Sequence, residues 1–340
     1  VYIQASLHAD ELPGMRTAWE LKKRLADLEA RGQLKGVIEL VPVANPIGLD
    51  QHLQSAHMGR FELGSGKNFN RAFHELSAPV GELIGAQLGA DAEANVALIR
   101  QAMGQVLDQL PAPTSQLQAL HRLLLRHACD AEITLDLHCD FEAAIHLYAL
   151  PQHWPQWQSL AARLKAGVAL LCEDSGGSSF DESCSSPWLR LAKAFPEAAI
   201  PPANLATTLE LGSMGDTRIE QAQANCEAIL GFLAEQGLID GQWPEAPTEC
   251  CEGLPFAGTE YLFAPHHGMV SFLREAGEWV EQGDPLFEVV DPLSNRVTVV
   301  RAGTSGVLFA LDRSRYTEPG IWQAKVAGRE VIRVGKLTND

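Results

Sequence analysis

Two hydrophobic periods alternate along this chain. The opening run Val1-Tyr2-Ile3 reads as a strand. After a polar stretch over 4–11, Met15, Trp19, Leu21, Leu25 and Leu28 fall near one helical face. Residues 37–43 form an apolar run, interrupted by Glu39, that predicts a buried strand ending in the turn Asn45-Pro46-Ile47-Gly48. Helical spacing returns over 91–110, where Val96, Ile99, Met103, Val106 and Leu110 recur at intervals of three and four. Pro111 and Pro113 stop that helix. Ser115 with Gln118 then forms a capping box for a second one bearing Leu117, Leu120 and Leu124. Further strands are predicted over 133–140, 144–148, 167–171 and 206–212. A polar loop over 174–186 suits a lid or a long connection, and a helix over 217–236 is stopped by Gly237. Strands alternating with helices through short loops predict an α/β fold with a mixed, largely parallel sheet covered by helices.

The pattern changes at Pro244-Glu245-Ala246-Pro247. Beyond it lie short strands with turns about every ten residues, the mark of a small barrel or sandwich. The expected organisation is a larger domain over 1–248 and a smaller all-β domain over 253–331.

Candidate chemistry gathers at predicted strand ends, where functional groups of α/β sheets collect. His8 and Glu11 sit on the first strand-to-helix loop, and an imidazole and a carboxylate three residues apart can converge on one cation. A catalytic zinc takes three protein ligands and keeps one open position. His138 closes a later strand and is flanked by Asp136 and Asp140. A carboxylate is the usual outer partner of a metal-bound imidazole, and either aspartate could orient either histidine. Cys139 alternates to the opposite side of the strand. Glu210 lies in an apolar strand, where an uncompensated carboxylate is costly to bury. The Gly-rich loop over 59–71 carries Arg60, Lys67 and Arg71. His121 and His127 are expected at a helix surface or end, and His146 in the core or at a sheet edge.

Composition narrows the classes. Apolar residues make up 46%, and the net charge is −17, which repels phosphate backbones and anionic bilayers. Neither nucleic acid nor membrane is an expected partner, and no apolar run is long enough to span a bilayer. Seven cysteines without CxxC spacing suggest reduced thiols and a cytoplasmic setting. No G-x-S-x-G elbow supports serine catalysis. Cys139 is the only cysteine beside a histidine.

Taken together and in order, His8-x-x-Glu11, Asn45-Pro46-x-Gly48, Asn68-Phe69-Asn70-Arg71, His138 and Glu210 before Leu211-Gly212 resemble the succinylglutamate desuccinylase/aspartoacylase family, a branch of the zinc carboxypeptidase fold. The resemblance implies one zinc per chain held by His8, Glu11 and His138. It makes Glu210 the general base, has Arg60 stabilise the oxyanion, and has Asn70 with Arg71 hold a substrate carboxylate. The C-terminal part resembles a biotinyl/lipoyl-type barrel-sandwich through Ala264-Pro265-x-x-Gly268, Gly283-Asp284-Pro285 and Gly303-x-x-Gly306. Its hairpin, residues 291–296, has no lysine, so an amide-linked carrier cofactor cannot form there. A structural role, or a wall or gate for the pocket, is expected. The implied function is a zinc-dependent amidohydrolase, a deacylase cleaving a small anionic N-acyl amino acid. A metallocarboxypeptidase acting on short peptides is the alternative. Homo-oligomers are left open.

Overall fold

The structure is a computed structural model that describes residues 1–338. Strand β1 (Tyr2–Ala5) is wholly buried, and helix α1 (Leu12–Ala30) follows it. The stripe Ala18, Leu21, Leu25 and Leu28 packs on the sheet. Trp19, expected on that face, is half exposed and flanked instead by Lys22 and Lys23. The small Ala18 takes the inner position beside it. A Cβ at Gly14 would lie 2.6 Å from the Leu137 carbonyl oxygen, so only glycine lets the first turn of α1 approach this closely.

Strand β2 (Glu39–Val41) is shorter and wetter than its apolar run predicts, and Val37 is exposed. It forms the outer edge of the sheet, which one neighbour cannot cover. Helix α2 (Ala92–Gln109) is capped by the Asp91 side chain. Helix α3 (Gln116–Ala128) is capped by Ser115, which accepts the Gln118 amide as the capping box requires. Then come β3 (Ile133–Asp140), β4 (His146–Ala149), α4 (Trp154–Leu164), β5 (Val168–Leu171), α5 (Phe180–Ala194), β6 (Leu205–Ser213) and α6 (Ile219–Glu235). Half of the predicted loop over 174–186 is therefore helical. The start of α5 is set from a distance: the Phe180 amide donates to Asn70 Oδ1, 2.8 Å away. A Ser- and Gly-rich segment carries no local trace of such a cap.

Strand β7 (Gly253–Pro255) also joins this sheet, whose order is β7-β5-β4-β6-β3-β1-β2. Every pair is parallel except β4 with β6. The sheet is mixed and largely parallel, with helices on both faces.

The C-terminal part is all antiparallel: β8 (Thr259–Phe263), β9 (Gly268–Phe272), β10 (Pro285–Asp291), β11 (Arg296–Arg301), β12 (Gly306–Leu311) and β13 (Trp322–Gly328). One sheet contains β8-β13-β12 and the other β11-β10-β9. Leu262, Val270, Leu286, Phe287, Leu308 and Val326 fill the space between them. Two features join the parts. Glu142–Ala143, just after β3, pairs with β12. A shared apolar cluster also sets Val168, Leu170 and Leu254 against Phe309, Ala327 and Leu337. This docking brings β13 over the C-terminal ends of β3 and β6, where the site lies.

Candidate active site

The loop after β1 is held from three sides. Ser6 turns the chain with a left-handed φ of 63°. The Leu7 carbonyl accepts Asn45 Nδ2 at 2.8 Å, and the Ala9 amide donates to the Gly59 carbonyl at 3.1 Å. A Cβ on Gly59 would lie 2.1 Å from the Asp10 amide nitrogen, so a side chain there cannot coexist with the loop. Asn45 and Gly48, read as turn residues, thus position the first two candidate ligands. The same contact places Arg60 against Glu11.

His8, Glu11 and His138 converge. One ligand atom from each lies within 4.8 Å of the others, and all three residues are buried. Glu11 Oε1 is 2.8 Å from His8 Nδ1 and Oε2 is 2.8 Å from His138 Nδ1. The far nitrogen of each ring meets an acceptor. His8 Nε2 is 2.7 Å from Asn68 Oδ1, and His138 Nε2 is 2.9 Å from Asp136 Oδ2. Asn68 Oδ1 also accepts the Asn70 amide, which fixes the orientation of its side-chain amide. Both Nε2 atoms are thereby cast as donors, so a neutral ring turns a bare Nδ1 lone pair toward the Glu11 carboxylate. Such an arrangement of lone pairs requires a proton or a cation between them. The donor set, two imidazoles and one carboxylate with oriented outer partners, fits zinc.

Electrostatics agree. Burial opposes ionisation of Glu11, but His8 and His138 outweigh it and hold its pKa well below the usual carboxylate range. Burial also opposes a charged His138, yet Asp136 and Glu11 hold its pKa well above the ordinary value. Arg60 Nη1 donates to Glu11 Oε1 at 2.8 Å, and the Cys139 amide donates to Oε2 at 3.1 Å. Of the two aspartates, Asp136 orients His138. It also accepts Gln4 Nε2 at 2.9 Å. Asp140 turns away to Lys325, 2.5 Å distant.

Glu210 stands opposite both His138 on β3 and His146 on β4 in strand register, so its side chain shares their face. Its Oε2 is buried without a hydrogen-bond partner among the described residues. Burial first, then the Glu11 charge, pushes its pKa up to about 8. A divalent cation nearby would favour the carboxylate instead.

His8, Arg60, Asn68, His138, Asp140 and Glu210 border one cavity of about 290 Å³. Asn70 and Arg71 line it too. The Asn70 carbonyl accepts Arg71 Nη1 at 2.7 Å. Ala72 and Ser178, both at positive φ, lie where the 70–73 segment binds the backbone of Gly177 and Ser178, which fixes the Arg71 loop. A wall from the C-terminal part is expected from the sequence, but its residues are not: Tyr148, Phe256, Tyr261, Trp322 and Lys325 line the cavity. Four of the five come from beyond residue 250, and no local motif marks them. The other three histidines singled out in the sequence lie outside the centre. His127 pairs with Glu39 at a helix end, and His146 is buried. His121, expected near the surface, is buried instead; its Nε2 donates to the Phe69 carbonyl at 2.7 Å and its ring stacks on Phe73. No disulfide forms among the described residues. No helix of the described residues is long and apolar enough to cross a membrane.

Residues 1–87 match the family model described as the succinylglutamate desuccinylase/aspartoacylase catalytic domain. No curated protein matches the chain. Among solved structures, a succinylglutamate desuccinylase/aspartoacylase family protein from Shewanella amazonensis SB2B aligns with a TM-score of 0.85 and 27% identity, over 96% of this chain and 89% of that one. A protein described in the same terms from Shewanella frigidimarina NCIMB 400 gives 0.85 and 23%, over 96% and 88%. The ectoine utilization protein EutE (DoeB) from Ruegeria pomeroyi, in a product-bound form, gives 0.66 and 14%, over 96% and 84%. The last two establish shared fold alone. Residues 1–87 thus carry the catalytic-domain pattern of the succinylglutamate desuccinylase/aspartoacylase family, and the chain as a whole is similar to a solved structure described as of that family.

Proposed function

We propose that this chain is a zinc-dependent amidohydrolase, a deacylase that cleaves the amide bond of a small N-acyl amino acid. The observation that carries the reading is the pair of Nδ1 atoms aimed at one buried carboxylate, with each opposite nitrogen held by an acceptor. A zinc ion held by His8, Glu11 and His138 supplies Lewis acidity and a more acidic water.

The other roles belong to the chain. Glu210, through its unpartnered Oε2, takes the proton of the attacking water and passes it to the departing amine nitrogen. Positioned proton transfer of this kind is worth about 10²–10⁴-fold. Arg60 meets the oxyanion that develops on the acyl carbonyl, a contact worth roughly 3 kcal/mol. Arg71 holds a substrate carboxylate through its planar fork, steadied by the Asn70 carbonyl. A local cluster of cations lets a protein of charge −17 accept an anionic substrate. The wall of Phe256, Tyr261 and Trp322 narrows the cavity, which supports a small amide over a peptide.

The test is a panel of N-acyl amino acids beside short peptides, offered to zinc-replete protein with and without chelator. The account expects turnover of acyl amino acids that chelator abolishes and zinc restores. Turnover indifferent to chelator, or confined to peptides, contradicts it.

A further inference from the structure

The cavity contains a charged group that the chemistry above does not use. Lys325 lies on β13 between Ala324 and Val326, both fully buried in the barrel core. Strand alternation therefore sends Lys325 to the other face, where it lines the cavity. Its ammonium sits 4.1 Å from the Trp322 ring centroid and 5.7 Å from that of Tyr261. Trp322 in turn stacks on Phe141 at 5.7 Å with the rings nearly parallel. An ammonium set against two aromatic rings thus forms part of the cavity wall.

The donor count does not close. An ammonium has three N–H donors. Among the described residues the only acceptor bonded to Lys325 is Asp140 Oδ2 at 2.5 Å, and Asp140 is itself shared with the Phe141 amide. Two donors are thus left at the cavity, on a side chain only 12% exposed. Burial disfavours the charge, but Asp140 and Tyr261 restore it and raise the pKa, so Lys325 is a permanent cation at neutral pH. Whatever fills the cavity, solvent or ligand, completes the donors of such a buried ammonium, and a ligand oxygen placed there takes over that bond.

We propose that Lys325 is a specificity-determining residue, donated by the barrel, that binds a second oxygen acceptor of the substrate while Arg71 takes the first. This rests on the hydrolase reading of the cavity. It gives the C-terminal domain a direct part in substrate choice. The substrate then carries a carboxylate or carbonyl oxygen on a short linker that passes along the wall of Tyr261 and Trp322. Asp140 neutralises most of the ammonium charge, so recognition comes chiefly from directed hydrogen bonds.

The test is calorimetric binding to zinc-loaded Glu210→Gln protein, in which ligand is not consumed. Two ligand pairs differ only by carboxylate against methyl: N-succinyl-L-alanine with N-butyryl-L-alanine, and N-acetyl-L-glutamate with N-acetyl-L-norvaline. The amide N-succinamoyl-L-alanine separates a need for charge from a need for an oxygen acceptor. One pair is expected to show an advantage of about tenfold or more for the acceptor, the size of a hydrogen bond to a charged group. That ratio should collapse in Lys325→Met. It should also collapse in Asp140→Asn/Lys325→Met, which leaves no unpaired carboxylate and so guards against misfolding of the single variant. The proposal is overturned if neither pair is discriminated, or if the ratio survives in both variants. A binding preference that collapses as expected, in a protein whose unsubstituted zinc form turns over none of the ligands, supports Lys325 and contradicts the hydrolase reading.

Discussion

Each candidate ligand in the centre is held by a partner that faces the other way. Glu11 is gripped by Arg60 and the Cys139 amide, His8 by Asn68 and His138 by Asp136. Replacing Asp136 by alanine frees the His138 ring while leaving all three ligands in place. Loss of such an outer partner typically costs about 10–100-fold in metal affinity. Competition against a calibrated chelator should find that loss, and unchanged affinity contradicts the orienting role. Glu210→Gln should keep zinc but lose about 10²–10⁴-fold in turnover, as removal of a positioned base requires. Parental rates in that variant would remove Glu210 from the chemistry. His8, Glu11 and His138 were legible in the sequence because their residue types stand where strands end. Asn68 was legible only as part of the Asn68-Phe69-Asn70-Arg71 motif and Asp136 only as a neighbour of His138, since which ring each one meets is set by the fold. Lys325 gave no signal, because a lysine in an alternating strand has the pattern of an ordinary outward residue.

Two loops and one helix carry the precision of the site. Gly59 lies against the backbone of Ala9 and Asp10, so Gly59→Ala must displace the loop bearing His8 and Glu11. That variant is expected to bind zinc poorly and to melt lower than the parent, as followed by elemental analysis and circular dichroism. Parental zinc content would show that the loop tolerates the shift. Helix α3 adds a pH dependence through His121. Burial lowers the pKa of this histidine from its ordinary 6.5 to about 4. Between those two pH values the unfolded chain binds a proton that the native chain refuses. Stability is therefore full above pH 6.5 and falls as pH drops toward 4. The melting temperature should be lower at pH 5 than at pH 7.5, and less so in His121→Gln. Equal slopes in the two proteins contradict this. The helix was legible from its capping box, and helical spacing places His121 on the buried face although its polar ring argues for the surface. His121 shares the stripe of Leu117, Leu120 and Leu124, but what covers it, Phe73, is far away in sequence.

At the scale of the molecule, the two parts share a surface that builds both stability and one wall of the cavity. Phe309 is fully buried in the cluster that joins Val168 and Leu170 to Phe256 and Leu337. Truncation of a buried aromatic typically costs about 3–5 kcal/mol. Urea unfolding of Phe309→Ala should show a loss in that range, with a matching fall in affinity for any ligand that touches Tyr261 or Trp322. A loss under about 1 kcal/mol would mean that the docking is loose. The alternation of strands and helices made the larger sheet legible, and the change at 244–247 marked where helices stop. Two features were hidden: β7 returns to the main sheet after that change, and Glu142–Ala143 pairs with β12. Both are pairings between segments distant in sequence, set by how apolar surfaces meet and not by any local pattern.

The account stands on three side chains sharing one divalent ion. Its most direct test is elemental analysis of protein purified, stripped and reloaded with zinc, comparing the unsubstituted chain with a folded His138→Ala variant. One zinc per chain in the former and almost none in the latter is the predicted result. Stoichiometric zinc in His138→Ala, or none in the unsubstituted chain, would contradict it.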